Sequence, residues 1–337
     1  MAESPMVGVV GLGLIGGSLA RALTARGRAI GFDVDPATTD RARAEGVSVA
    51  ESLDALVPAV DVIVVATPLR ELTQVFTEIG RLGQGQGRSL VVTDVGSVKL
   101  PVALMAEQLL PPTMPFVGGH PMAGSERSGF DASDPELFEG APWIVTVDES
   151  TDLMAALLVA GVAASVGARA VPVTSADHDR AVAVVSHLPH VIATSLVNTV
   201  AAMDSHHVML RLAAGSFRSA TRVADTRAGF TADLTYVNRL PLIDALDSFV
   251  DQLVSFREVL NTARVEDDLL PFFGTPLEVR TEIDQHRWVT TELTVDPAED
   301  PAGTRRSLLE IGREGGSITS VVPAGGLFRL RVAVPVA

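Results

Sequence analysis

A short apolar run, Met6 to Val10, enters Gly11-Leu12-Gly13-Leu14-Ile15-Gly16-Gly17-Ser18, and a stretch of helical character, Leu19 to Arg26, follows. No other segment restricts the fold as strongly. A G-x-G-x-x-G run between a strand and a helix assigns each glycine a task. The first makes the tight turn, the second lets a pyrophosphate approach the backbone, and the third lets the helix pack on the strand. The anion then rests on unpaired N–H groups at the helix N-terminus. Ala29 to Phe32 reads as the second strand, and Asp33 follows it, 22 residues after Gly11. A carboxylate there accepts hydrogen bonds from ribose hydroxyls. This start commits the chain to an α/β Rossmann domain.

The alternation continues. Asp61 to Ala66 and Ser89 to Val92 are β-branched, apolar runs suited to strands buried on both faces. Helical stretches lie around Leu69 to Ile79 and Lys99 to Leu110. In an open parallel sheet, ligands bind beyond the carboxyl ends of the strands. The tails Thr67-Pro68 and Thr93 to Lys99 are therefore expected on one rim, with the turn that follows Phe116-Val117. Around the dinucleotide the candidates are Gly11, Gly13, Leu14, Ile15, Gly16, Asp33, Thr67, Pro68 and Asp94. Trp143 to Val147 and Arg169 to Val173 are expected to complete the sheet, which ends the first domain at residue 173.

That third tail reads V-G-G-H-P-M-A-G-S-E-R-S-G from Val117 to Gly129. Gly118, Gly119 and Gly124 permit close backbone approach or positive φ, and Pro121 stiffens the turn. An imidazole on a rigid turn is what a general base needs, so His120 is a candidate. A surface turn with an incidental histidine has the same composition, and these residues alone leave both readings open.

From Ser175 to about Leu260 helices dominate. Thr174 to Asp177 resembles a capping box with Asp in place of Glu. Ser186-His187-Leu188-Pro189-His190 sits in an apolar helix that Pro189 should kink or interrupt. The two histidines face one side, but no third ligand accompanies them, and no metal is expected. Arg218 and Arg222, four apart, form an anion clamp or face solvent; spacing does not choose. Leu242, Leu246, Phe249, Leu253, Phe256 and Leu260 make a 3.5-residue seam suited to a core or a subunit interface. An all-helical domain over 174–264 follows. Arg287 to Val295, Gly303 to Gly312 and Leu327 to Val334 then read as strand, helix and strand, a small α+β appendage over 265–337.

Composition excludes several classes. The chain has no cysteine, so disulfides, thiolate nucleophiles and Cys-ligated zinc are out, and a reducing cytoplasm fits. A net charge of −15 argues against nucleic acid and anionic membranes. No apolar stretch is expected to reach the roughly 20 residues of a spanning helix.

Together, G-L-G-L-I-G-G-S (11–18), T-D-V-G-S-V-K (93–99), G-H-P-M-A-G-S-E-R-S-G (119–129), S-H-L-P-H (186–190) and S-F-R-S-A-T-R-V-A (216–224) resemble the prephenate/arogenate dehydrogenase family of tyrosine biosynthesis. The resemblance spans about residues 7 to 260. It implies a Rossmann domain with NAD and a helical domain that forms a homodimer, with the small-molecule substrate in the cleft between the domains. His120 matches the catalytic histidine that hydrogen-bonds the ring 4-hydroxyl, and Ser97 the serine supporting that contact. Ser125 and Glu126 match the substrate side, as do His187 and His190. Arg222 matches the arginine that holds the substrate carboxylate. Where many members carry an S-D-P-x-M-W-like segment, this chain has Asp225 to Thr231, so that pocket wall differs.

The implied reaction is oxidative decarboxylation of prephenate, with arogenate as the alternative substrate. A β-hydroxyacid dehydrogenase would use a lysine on its helical domain, and residues 174–264 contain none. A non-catalytic NAD-binding regulator would need no base. Asp33 should favour NAD over NADP, because its carboxylate repels a 2′-phosphate and no arginine follows before Arg41. Asp33→Ser is expected to weaken NAD use and relax that discrimination in a comparison of kcat/KM for the two cofactors. Equal or better NADP+ efficiency in the parent protein would contradict this assignment.

Overall fold

The computed structural model describes residues 5–85, 89–124, 127–274, 280–281 and 287–336. Two compact units emerge: residues 1–178 with 290–334, and residues 179–289 with 335–337.

The first unit begins as the glycine run requires. Strand β1 (Val7–Val10) leads into helix α1 (Leu14–Thr24), then β2 (Ala29–Phe32), α2 (Pro36–Ala44), α3 (Leu53–Leu56), β3 (Val62–Val65), α4 (Leu72–Gly83), β4 (Val91–Asp94), α5 (Leu100–Leu109) and β5 (Phe116–Val117). The strands pair in parallel in the order β2-β1-β3-β4-β5. Every residue of β1, β3 and β4 is buried, as expected of strands covered on both faces. The order reverses between β1 and β3, which puts the ligand crevice beyond their carboxyl ends, at Gly11 and Thr67.

The chain then crosses to a second sheet, built from β6 (Gly119–Pro121), β7 (Pro142–Thr146), α6 (Leu153–Ser165) and β8 (Arg169–Val173). Its order is β6-β7-β8-β10-β11-β9, in which β9 (Arg287–Val295), β10 (Ser317–Ala324) and β11 (Leu327–Val336) come from the carboxyl-terminal segment. Trp143 to Val147 and Arg169 to Val173 therefore do not complete the first sheet as expected. Instead β6 turns back antiparallel to β7, pairing Gly119 with Val145 and His120 with Ile144.

The carboxyl-terminal segment thus supplies the rest of this sheet. The segment pairs β10 with β8, and its residues 290–334 belong to the first unit. Its helix, running Pro301–Arg313 and numbered α13 below, is capped by Asp300 and lies on β8. Arg305 Nη1 donates to the Asp148 carbonyl at 2.7 Å, and Leu308 and Ile311 enter the main core.

The second unit is helical: the end of α7 (Ser175–Val182), α8 (Leu188–Ala201), α9 (His206–Leu212), α10 (Gly215–Thr221), α11 (Ala228–Val237) and α12 (Arg239–Thr262). Pro189 does not break the run. A π-helical turn at Ala183–His187 precedes it, so Pro189 falls in the first turn of α8, where a missing donor costs little. Ser175–Ala201 is thereby one helical run of 27 residues, and an 18-residue window within it has a mean hydropathy of 1.4, long and apolar enough to cross a membrane by length and composition. The sequence reading expected no apolar stretch of that length. The buried core of this unit is small: Ala183, Leu188, Leu242 and Ala245, with Leu246 and Phe249 against it. The later part of the α12 seam is uncovered, with Leu253 50% and Leu260 51% exposed.

The close fit of α13 on β8 yields a test. A Cβ on Gly312 would fall 1.8 Å from the Pro172 carbonyl oxygen. Gly312→Ala is expected to destabilise by about 1–3 kcal/mol, the range for overpacking, read as a lowered Tm of the first unit. An unchanged Tm would mean that this helix does not pack there.

Candidate active site

The glycine loop has the geometry of a phosphate cradle. Gly11 has φ +92°, and a Cβ on it would meet the Ala66 carbonyl oxygen at 2.7 Å. A Cβ on Gly16 would lie 1.9 Å from the Gly11 oxygen, so neither position tolerates a side chain. Gly13 faces open space, with nothing within 4 Å of a built Cβ. It also begins α1 with no side-chain cap and no acidic residue in the first turn, leaving the N–H groups of Leu14 and Ile15 for an anion. Asp33 accepts from Leu12 N at 2.7 Å and Asp35 N at 2.9 Å, fixing its carboxylate beside the loop with acceptor capacity to spare. The Thr38 hydroxyl and the Ala37 N–H hold the neighbouring Asp35 carboxyl below the ordinary carboxylate range. Thr67 Oγ1 is buried without a hydrogen-bond partner among the described residues. An orphaned hydroxyl next to an open glycine cradle fits a site completed by a bound dinucleotide. Pro68 opens the turn after Thr67.

Asp94 is different. It was expected at the cofactor, but its side chain is 0% exposed and fully engaged. Oδ1 accepts from Lys99 Nζ at 2.6 Å and Gly119 N at 3.1 Å. Oδ2 accepts from Lys99 Nζ and, at 2.8 Å, from Gly96 N. A carboxylate offers about four acceptor sites, and here all are taken, leaving none for a cofactor. Lys99 Nζ also donates to the Gly119 carbonyl at 2.7 Å. Asp94 and Lys99 thus hold both polar backbone atoms of Gly119, the residue before His120. The two glycines serve close approach, not positive φ. A Cβ on Gly118 would be 3.1 Å from Lys99 Cδ, and one on Gly119 would be 2.6 Å from the Asp94 carbonyl oxygen. Lys99 is the only lysine in the chain. That singularity among so many arginines was a readable signal of a special position.

His120 lies on a three-residue strand, not a turn. It is half-buried between buried Gly119 and Pro121. Its Nδ1 is 2.9 Å from His178 Nε2, the rings meeting edge-on at 77°. His178, only 2% exposed, was absent from the sequence reading. It stands in the first turn of α7, whose entry is pinned twice. Thr174 Oγ1 accepts from Asp177 N at 3.1 Å and donates to the Asp177 carboxylate at 2.7 Å. Asp148 Oδ1 accepts from Ser175 N at 2.8 Å, and Oδ2 from the Ser175 hydroxyl. Ser97 is half-buried in the loop before α5 and makes no hydrogen bond with any described residue. Ser125 and Glu126 lie outside the described residues.

In the helical unit, His187 is fully buried, and the Asn238 amide donates to its Nδ1 at 3.1 Å while also donating to the Asp179 carbonyl. That burial corrects the expectation of a substrate contact; His187 ties α7, α8 and α12 together. His190 is half-buried and donates from Nδ1 to the Val223 carbonyl at 3.1 Å, joining S-H-L-P-H to the turn Arg222–Asp225. The Arg222 side chain is exposed and makes no hydrogen bond or ion pair with a described residue, whereas Arg218 Nε donates to the Ala213 carbonyl at 3.3 Å. Among the described residues no cluster of three or more His, Asp or Glu could hold a metal ion.

A Rossmann sheet with an open phosphate cradle, followed by a helical unit, defines the class: a dinucleotide-dependent dehydrogenase. Residues 19–172 match the nucleotide-binding domain of prephenate dehydrogenase, and 174–275 its dimerization domain. The prephenate dehydrogenase of Bacillus subtilis is 33% identical over 283 residues, covering 81% of this chain and 74% of that one. The solved Aquifex aeolicus prephenate dehydrogenase in complex with hydroxyphenyl propionate and NAD+ is 29% identical with a TM-score of 0.76, covering 84% of this chain and 100% of that one. Synechocystis arogenate dehydrogenase is also 29% identical, with a TM-score of 0.70 over 83% and 98% of the two chains. The chain belongs to the prephenate dehydrogenase family.

The clamp on Gly119 generates a prediction. Lys99→Met strands a buried carboxylate, and removing one partner of a buried pair costs about 3–5 kcal/mol. Urea unfolding should show a loss of that size, and Lys99→Met with Asp94→Asn should recover part of it. Lys99→Arg should also destabilise, because the buried ammonium serves both Asp94 and the Gly119 carbonyl and a planar guanidinium does not replace it atom for atom. A loss below about 1 kcal/mol for Lys99→Met would mean that the pair is solvated.

Proposed function

We propose that this chain is an NAD-dependent prephenate dehydrogenase that converts prephenate to 4-hydroxyphenylpyruvate in tyrosine biosynthesis. The observation that carries the reading is His120, clamped through Gly119 by Lys99 and by Asp94 at the end of β4, and backed by His178. Gly11, Gly13, Leu14, Ile15, Gly16, Asp33, Thr67 and Pro68 would hold the dinucleotide. NAD+ supplies the hydride acceptor.

The substrate is a cyclohexadiene with a 4-hydroxyl and a quaternary carbon bearing a carboxylate. His120 Nε2 takes the hydroxyl proton as the C4 hydrogen leaves with its electron pair, and C4 becomes a carbonyl carbon. The bond to the ring carboxylate then breaks, its electrons complete the aromatic ring, and CO₂ departs. The oxygen recovers the proton from His120 as the phenol forms. A positioned base contributes roughly 10²–10⁴-fold; orientation and the cofactor supply the rest. Ser97 would assist at the hydroxyl, Ser125 and Glu126 would face substrate, and His190 and Arg222 would serve its side chain and carboxylate.

The helical unit supports a homodimer: Val185, Leu212, Tyr236 and Leu240 are each about two-thirds exposed or more. We read this apolar surface, including Ser175–Ala201, as facing a second copy, not lipid, because it lies within the matched dimerization domain. A cytoplasmic location and the absence of nucleic-acid partners accord with the acidic, cysteine-free chain. Arogenate is the second reading, favoured by the likeness to the Synechocystis enzyme.

Purified protein with NAD+ and either prephenate or arogenate, followed by NADH absorbance, tests the proposal. NADH formation with prephenate in preference to arogenate is expected; none with either would overturn it. Arg222→Lys should raise KM for the acid roughly tenfold or more while sparing NAD+, since a charged hydrogen bond contributes about 1.5–3 kcal/mol. Arg218→Lys should change little. The reverse pattern would remove the carboxylate contact from Arg222.

A further inference from the structure

We infer that His178 is a positioning residue that selects the working tautomer of His120. The inference rests on the reading of His120 as the base and extends it to a residue that no sequence pattern assigned. The 2.9 Å contact joins two ring nitrogens, His120 Nδ1 and His178 Nε2. One proton lies between them, since two N–H groups cannot face each other at that distance and two lone pairs would repel. Only two neutral arrangements remain.

If His178 Nε2 is the donor, His120 carries its proton on Nε2 and has its only lone pair engaged. Such a ring cannot take a proton from a hydroxyl. If His120 Nδ1–H is the donor, the lone pair is on Nε2, and the ring is a base. The second arrangement is also the one that improves during reaction. When Nε2 gains the substrate proton, His120 becomes a cation and its Nδ1–H bond to His178 becomes charge-assisted, about twice as strong as a neutral one. An interaction that strengthens only as the reaction proceeds accelerates the chemical step.

The framework suits that task. His178 is 2% exposed, so water does not compete for its Nε2. Its helix entry is fixed by the Thr174 cap and by Asp148 on Ser175, and Arg305 from the carboxyl-terminal segment holds the Asp148 carbonyl. His120 is held through Gly119 by Asp94 and Lys99. Each ring thus has its own rigid support.

The test combines tautomer detection with turnover on the whole chain. Nitrogen-15 NMR of histidine-labelled protein with NAD+ bound, assigned by the signals that His120→Asn removes, reads which ring nitrogen of His120 is protonated. A proton on Nδ1 is expected; a proton on Nε2 would overturn the inference. His178→Phe keeps bulk but removes the acceptor. Its kcat should fall about 30-fold or more, in the direction of the roughly 10⁴-fold loss that follows when a triad imidazole is left in the wrong tautomer, with KM for prephenate and NAD+ within about threefold. His178→Gln, whose side-chain oxygen restores an acceptor, should recover kcat to within about fivefold of the parent. Unchanged kcat in His178→Phe, or Gln as impaired as Phe, would contradict the role. Should His178→Phe fail to fold, the NMR result and the Gln variant still decide. Should the parent oxidise neither prephenate nor arogenate, the proposed function fails while the tautomer measurement stands.

Discussion

The ion pair between Asp94 and Lys99 is the interaction on which the rest of the catalytic unit depends. Both side chains are 0% exposed. Taking two charges out of water costs several kcal/mol per ion, and their attraction offsets that only when the remaining donors and acceptors are also satisfied. Here they are: two backbone N–H groups complete the carboxylate and a carbonyl joins the ammonium. The Lys99 stem lies against Gly118 and its compact ammonium meets the Gly119 carbonyl, a role that a planar guanidinium does not reproduce. What the pair achieves is placement. It joins the end of β4 in the first sheet to the start of β6 in the second, and so aims the strand that carries His120.

From that point the carboxyl-terminal segment becomes intelligible. It extends the second sheet through β10 on β8, and Arg305 reaches the loop that pins α7. The residues farthest along the chain therefore reinforce the support of His178. In the helical unit, Asn238 and buried His187 play the corresponding structural part, while His190 steadies the turn that bears Arg222.

Much of this was legible beforehand, and the failures have physical causes. The glycine run and the Val-rich strands state their own structure, because φ > 0 at Gly11 and burial on both faces restrict residue type. β2, β8 and β9 have the bounds that were read for them, Ala29–Phe32, Arg169–Val173 and Arg287–Val295. The second sheet was not legible: β5 and β6 have two and three residues, too few for a period, and their separation depends on a pair of charges. Thr93 to Lys99 looked like a cofactor-facing tail because it follows a strand, but the lysine five residues after Asp94 turns that carboxylate inward. His178 lay unseen inside a capping motif, since nothing local marks a histidine whose partner is 58 residues away. Pro189 misled by its rule, which the π-helical turn sidesteps.

Because Lys99 is the only lysine, its burial can be measured directly. Native protein treated with an amine-acylating reagent, then digested and analysed by mass spectrometry, reports one side-chain ammonium. The account predicts that Lys99 stays unmodified in the folded protein and reacts once urea unfolds it. Acylation of Lys99 in the native state at the rate of an exposed lysine would contradict the buried pair, and with it the placement of His120.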